Sequence, residues 1–171
     1  MRRVVVTGIG MLTPLGNDTA STWAGLVEGR SGIGHITCFD ASMYEFPIAG
    51  EVKGFEPGLY MESKEARKMA LFSQYAVAAA VQAWRDAGLP DPKTEGAPAL
   101  PYDPKKVATV LGNGIGGIEV CLESHKKLLD AGPGRMLPMT VPLMIINEAS
   151  GNGTAVSSCS STSSGVTTPR P

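Results

Sequence analysis

SKEARKMALFSQYAVAAAVQAWRDAG, residues Ser63 to Gly88, is the longest stretch of the chain with a single period, and its reading decides the fold. Met69, Phe72, Ala76, Ala79, Ala83 and Trp84 follow the three-and-four spacing of one helix face, and Gly88–Leu89–Pro90 supplies a stop. The spacing predicts one helix over the whole stretch. Ala76 to Ala83 is almost all Ala and Val, so neighbouring backbones can approach along most of its surface, as in a buried central helix. Its first turn is electrostatically odd. Lys64, Arg67 and Lys68 crowd the end where the helix dipole favours acids, and Glu62 and Glu65 offset them only in part. Two readings follow: a solvated first turn, or a basic surface for an acidic partner.

Working outward, Arg3 to Ile9 is a β-branched run ending in Gly, the pattern of a strand buried on both faces. Gly8 and Gly10 begin a dinucleotide-type loop, but Thr13 stands where its third Gly belongs and Pro14 follows, so that reading is rejected. Asn17 and Asp18 are N-cap candidates for a helix from Thr19 to Glu28 carrying Trp23 and Leu26, with Gly29 as its stop. Between Arg30 and Pro57 the signals are short: SGIG as a turn, an irregular CFDASMYE, and a possible strand from Pro47 to Lys53.

Beyond the helix, Pro90, Pro92, Pro98, Pro101 and Pro104 make Leu89 to Lys105 an exposed loop. Val107 to Leu111 reads as a second buried strand, GNGIGG at Gly112 to Gly117 as a tight turn, and Ile118 to Asp130 as a helix. GNGIGG lacks the Lys and the Ser or Thr of a phosphate loop; its functional reading is close approach of backbone to a ligand, with Ile115 its one sizeable side chain. Gly132 to Gly134 is a further turn, Met136 to Ile146 is apolar but interrupted by Pro138 and Pro142, and Ile145 to Ser150 can start another helix. The order strand, helix, helix, strand, helix predicts an α/β layered fold. From Gly151 to Pro171 nearly half the residues are Ser or Thr, Arg170 is the sole charge, and periodicity vanishes. A disordered tail is expected there.

Composition bounds the function. A chain of 171 residues is the size of one ordinary domain, and a net charge of −1 gives no overall pull towards nucleic acid or membrane. Its 21 Gly and 13 Pro exceed the usual share of roughly 12% and predict many turns. Cys38, Cys121 and Cys159 are odd in number, far apart and without metal-ligand spacing, which fits a reducing, cytoplasmic setting. Arg2 and Arg3 before an apolar run imitate a signal peptide, but Thr7, Gly8, Gly10 and Pro14 break the run, and no stretch approaches a membrane span.

RRVVVTGIGMLTPLGND, SKEARKM with FSQYA and DAGL, LGNGIGG, and the later GP and VP turns keep an order and spacing that resembles the β-ketoacyl-acyl-carrier-protein synthases, most closely the type II elongating enzymes of fatty acid synthesis. The resemblance covers about the first 150 residues, with a longer proline loop at Leu89 to Lys105. It implies a thiolase-like layered fold of α/β class, here the N-terminal half, a mixed sheet with packed helices, with the C-terminal half missing. It implies a homodimer, no cofactor and no metal, and decarboxylative condensation of an acyl thioester with malonyl-acyl carrier protein. Lys64, Arg67 and Lys68 match the patch that docks the acidic carrier protein, which favours the docking reading of the charge anomaly. Gly114 and Ile115 match the acyl-pocket motif. Thr140 stands where a bulky residue reaches the partner's pocket in such enzymes, and is too small to carry that role.

The catalytic cysteine of the family would fall close to Arg170, where this chain has TTPRP. Cys159 lies earlier, within SSCSS, without an apolar strand to aim it. Cys38, Cys121, His35 and His125 match no catalytic position. The expected domains are therefore an incomplete synthase domain over 1–152 and a Ser/Thr-rich tail over 153–171 outside the family pattern, the product of a frame change or truncation near Gly151 or Asn152. No catalytic residue is assigned. The competing readings are a non-catalytic fragment that binds carrier protein, and a fragment of a polyketide-type ketosynthase.

Overall fold

The computed structural model describes residues 3–90, 101–103 and 106–152. It divides into two units, Met1–Gly88 and Leu89–Pro171. The Ser/Thr-rich tail and most of the proline loop lie outside the described residues.

In the first unit, residues 3–12 form no strand. The chain runs extended along a helix instead: the Ile9 amide donates to Asp86 Oδ2 at 2.8 Å and the Met11 amide to Gln82 Oε1 at 3.1 Å. A Cβ at Gly8 would meet the carbonyl oxygen of Ala83, and one at Gly10 that of Ala79. The glycines of GIG are thus what lets two backbones touch. The buried strand expected at Arg3 to Ile9 is corrected accordingly, with Val4, Val5 and Val6 at 95%, 65% and 80% exposure. β-branched residues favour a strand only when a neighbouring strand receives them, and none of the described residues does.

A turn with paired Thr13 and Gly16 amide–carbonyl bonds leads into α1, Thr19–Val27. Asp18 caps it, its Oδ1 accepting the Ser21 amide at 2.7 Å, and Gly29 closes it with φ 69. Trp23 and Leu26 are exposed, and Thr22 and Gly25 are the buried residues. SGIG is not a turn: Ile33–His35 is strand β1, paired antiparallel with β2, Ile48–Gly50, in the register Ile33 to Gly50 and His35 to Ile48. β2 falls inside the strand expected at Pro47 to Lys53.

The long helix is broken. α2 spans Ser63–Ala66 and α3 spans Leu71–Asp86, with Ala70 extended at φ −64 and ψ 158 between them. Gln74 Nε2 fastens the break by donating to the carbonyls of Ala66 and Met69, both at 3.0 Å. Met61, Ala66, Ala70, Val77 and Ala78 are buried, and among the described residues Ser73 is the largest side chain that is fully enclosed. The most enclosed line of α3 is Ser73, Val77 and Ala78, and the line of Phe72, Ala76 and Ala79 is half-buried.

In the second unit, residues 107–111 form no strand, with Val110 at 92% exposure, which corrects the second expected strand. The two-stranded β1–β2 sheet stands where a mixed sheet was expected. α4, Ile118–Ala131, ends at Gly132 with φ 78 and runs into a tight 3-10 turn at Pro133–Arg135. α5, Thr140–Met144, tolerates Pro142 because its first-turn amides have no helical partner to lose. Residues 148–152 are helical, as the Ile145 to Ser150 segment predicts.

Candidate functional site

The glycine-rich turn of the second unit is built by Asn113, whose Oδ1 accepts the amides of Ile115 at 3.0 Å and Gly116 at 2.8 Å. Gly116 takes φ 81, and a Cβ there would stand 2.7 Å from the Met144 carbonyl oxygen. A second anchor is the Gly117 amide, which donates to that same oxygen at 3.2 Å. The turn is therefore held against the end of α5, and Ser124 Oγ and Thr140 Oγ1, 3.0 Å apart, tie α4 to α5 beside it.

These contacts frame an open groove of about 570 Å³ walled by Leu111, Ile115, Ile118, Met144 and Ile146, with Cys121, Asn147 and Ser150 also in its lining. Ile115 is 68% exposed and stands in the groove rather than in a core. Gly114 sits in the turn without lining it, and a Cβ there would meet nothing within 4 Å. A mostly apolar groove with a few polar groups in its lining suits an alkyl or acyl chain.

No described residue offers it a nucleophile with a base. His125 is four residues beyond Cys121 on α4, yet no hydrogen bond joins them, and His35 is exposed on β1. Cys38 is exposed beside Glu51, whose hydrogen bond to the thiol pushes its pKa up and leaves less thiolate. Among the described residues no His, Cys, Asp and Glu group fit for a metal occurs. No helix in them is long and apolar enough to cross a membrane.

Lys64, Arg67 and Lys68 are all exposed at the α2–α3 break of the first unit, and none pairs with an acidic group among the described residues. Arg30, by contrast, is held by Glu28 at 2.9 Å. The break revises the electrostatic argument. Lys64 lies in the last turn of α2 and Arg67 caps its C-terminus, so these charges do not oppose a long helix dipole from within. Their clustering and exposure remain.

Sequence reasoning missed a polar node in the first unit. Gln82 Nε2 donates to the Asn17 carbonyl at 2.8 Å and to Tyr60 Oη at 3.1 Å, while Asn17 Nδ2 donates to the carbonyls of Lys53 and Gly54 at 2.8 and 3.1 Å. The signal was Gln82, a polar side chain inside the Ala-rich stretch from Ala76 to Ala83.

The family model of the β-ketoacyl synthase N-terminal domain matches residues 1–167. Among curated relatives, 3-oxoacyl-acyl-carrier-protein synthase 2 of Vibrio cholerae is 43% identical over 151 residues, covering 88% of this chain and 34% of its own. The same-named protein of Staphylococcus aureus is 37% identical over 169 residues, covering 92% and 39%. The chain thus spans about a third of the length of the curated relatives it matches. Among solved structures, the ishigamide ketosynthase/chain length factor superposes with a TM-score of 0.72 at 29% identity, covering 91% of this chain and 37% of the other. A type II polyketide ketosynthase in complex with its acyl-carrier protein gives 0.67 at 22% identity, covering 94% and 40%, a likeness of fold.

Proposed function

The chain belongs to the β-ketoacyl synthase family and has its thiolase-like α/β layered fold, and from that premise we propose that it is the N-terminal portion of a 3-oxoacyl-acyl-carrier-protein synthase of fatty acid elongation. The observation that carries the reading is the 43% identity to a protein of that name over nearly the whole chain. The reaction is decarboxylative condensation of an acyl thioester with malonyl-acyl carrier protein by a homodimeric, cytoplasmic enzyme. Such chemistry needs a thiolate to hold the acyl group and an electropositive site for the developing enolate.

In this reading Ile115, with Gly114 beside it, borders the acyl chain, and the groove's apolar walls support that role. Lys64, Arg67 and Lys68 form the docking surface for the acidic carrier protein, supported by their exposure and their lack of acidic partners. Neither Cys38 nor Cys121 accepts the acyl group.

The test is titration of acyl carrier protein against the chain and against the triple variant Lys64→Glu, Arg67→Glu, Lys68→Glu. Binding weakened by about tenfold or more supports docking at this surface, and unchanged affinity overturns it. Intact mass after incubation with an acyl-carrier thioester checks the chemistry: no acyl adduct is expected on Cys38 or Cys121.

A further inference from the structure

Two asparagines of the chain precede a glycine, Asn113 and Asn152. The backbone nitrogen after an asparagine can attack its side-chain amide, and a glycine shields that nitrogen least, having no Cβ and a wide choice of backbone angles. At Asn113 the fold favours the attack in three ways. Gly114 is exposed and its amide makes no hydrogen bond among the described residues, so solvent can take its proton. Asn113 Oδ1 already accepts the amides of Ile115 and Gly116. Both donors draw electron density from Cγ and await the charge that gathers on this oxygen when Cγ becomes tetrahedral. Nδ2, the group that has to leave, is held by no acceptor among the described residues. Asn17 is the contrast: Asp18 follows it, and its Nδ2 is bonded to the carbonyls of Lys53 and Gly54. Asn152 is helical, with its Nδ2 buried.

We propose that Asn113 is a self-modification site, converting through a cyclic imide to aspartate and isoaspartate in the folded chain. The Gly114 nitrogen gives its proton to water and bonds to Cγ of Asn113. The Cγ–Nδ2 bond breaks, and Nδ2 takes up a proton and leaves as ammonia. Water then opens the imide. Cleavage of the new N–Cγ bond gives aspartate; cleavage of the original peptide bond gives isoaspartate, whose main chain runs through Cβ and Cγ. The sum is one water consumed and one ammonia released, with no oxidant and no cofactor. Aspartate keeps an acceptor for both amides. Isoaspartate turns that acceptor into a main-chain carbonyl, displaced from where Ile115 and Gly116 meet it, and the turn loosens from the Met144 carbonyl. The site thus limits the lifetime of the glycine-rich turn, whatever the groove beside it binds.

Incubation of the full chain in mildly alkaline buffer, followed by peptide mapping, tests it. The peptide containing Asn113 is expected to yield two new species, each with the mass change of NH2 replaced by OH, and an isoaspartate-specific carboxyl methyltransferase labels one of them. Gly114→Ala, whose added carbon meets nothing within 4 Å, keeps the fold and slows conversion by about tenfold or more. Conversion at Asn113 is expected to run at least as fast in the folded chain as in urea, and ahead of Asn152. Asn113 intact in the folded chain while it converts in urea, Asn152 converting first, or a Gly114→Ala chain that ages like the original overturns the proposal. Faster amide exchange at Ile115 and Gly116 in the converted chain supports the loosened turn, and unchanged exchange there overturns it.

Discussion

Glu51 shows how much one exposed carboxylate can organise. Its Oε2 accepts the Thr37 hydroxyl at 2.7 Å and its Oε1 the amides of Thr37 and Cys38 at 2.9 and 3.2 Å, and these bonds, the Thr37 hydroxyl foremost, lower its pKa from the ordinary 4.5 to about 2. The folded chain then holds the proton less tightly than the unfolded one. The stabilisation is complete above the ordinary carboxylate range and is lost as pH falls towards the folded value. Thermal melts between about pH 2 and about pH 5 should show an acid-side decline that Glu51→Gln flattens. At Gly10 the constraint is steric. Gly10→Ala drives a Cβ into the Ala79 carbonyl and should cost about 1–3 kcal/mol in urea denaturation, while Gly34→Ala, with nothing within 4 Å of the added carbon, should be near neutral.

Among the elements, the α2–α3 break depends on one side chain. Gln74→Ala removes a donor from the carbonyls of Ala66 and Met69, and a loss of about 1–2 kcal/mol is expected, with faster amide exchange across Arg67 to Ala70. The break was not legible in the sequence, because Arg67, Lys68, Met69 and Ala70 are all good helix formers and the instruction comes from Gln74 and the packing of Ala66 and Ala70. α1 and α4 were legible because their ends are written locally, by Asp18 and Gly29 in one case and Gly132 in the other. The valine-rich segments were legible as strand formers but not in their outcome, since a strand also needs a neighbour that no local pattern specifies. At the candidate site, Ile115 could be singled out from GNGIGG, whereas Met144 and Ile146 could not, because only the turn's bonds to the Met144 carbonyl bring them to it.

For the molecule as a whole, the enclosed residues are unusually small. Among the described ones the buried apolar set is five alanines, Met61 and Val77, and Ala149 is its single member in the second unit. Large apolar side chains such as Phe46, Met43 and Leu129 stay exposed at 74%, 83% and 72%. Exposed apolar surface of this extent marks faces suited to packing against other polypeptide. The alanine-dominated interior has a calorimetric consequence. Unfolding it wets little additional hydrocarbon, so the heat-capacity increment should fall below the usual 12–15 cal/mol/K per residue, roughly the range for globular domains. Scanning calorimetry should then give a shallow stability curve, with free energy changing slowly between cold and warm conditions.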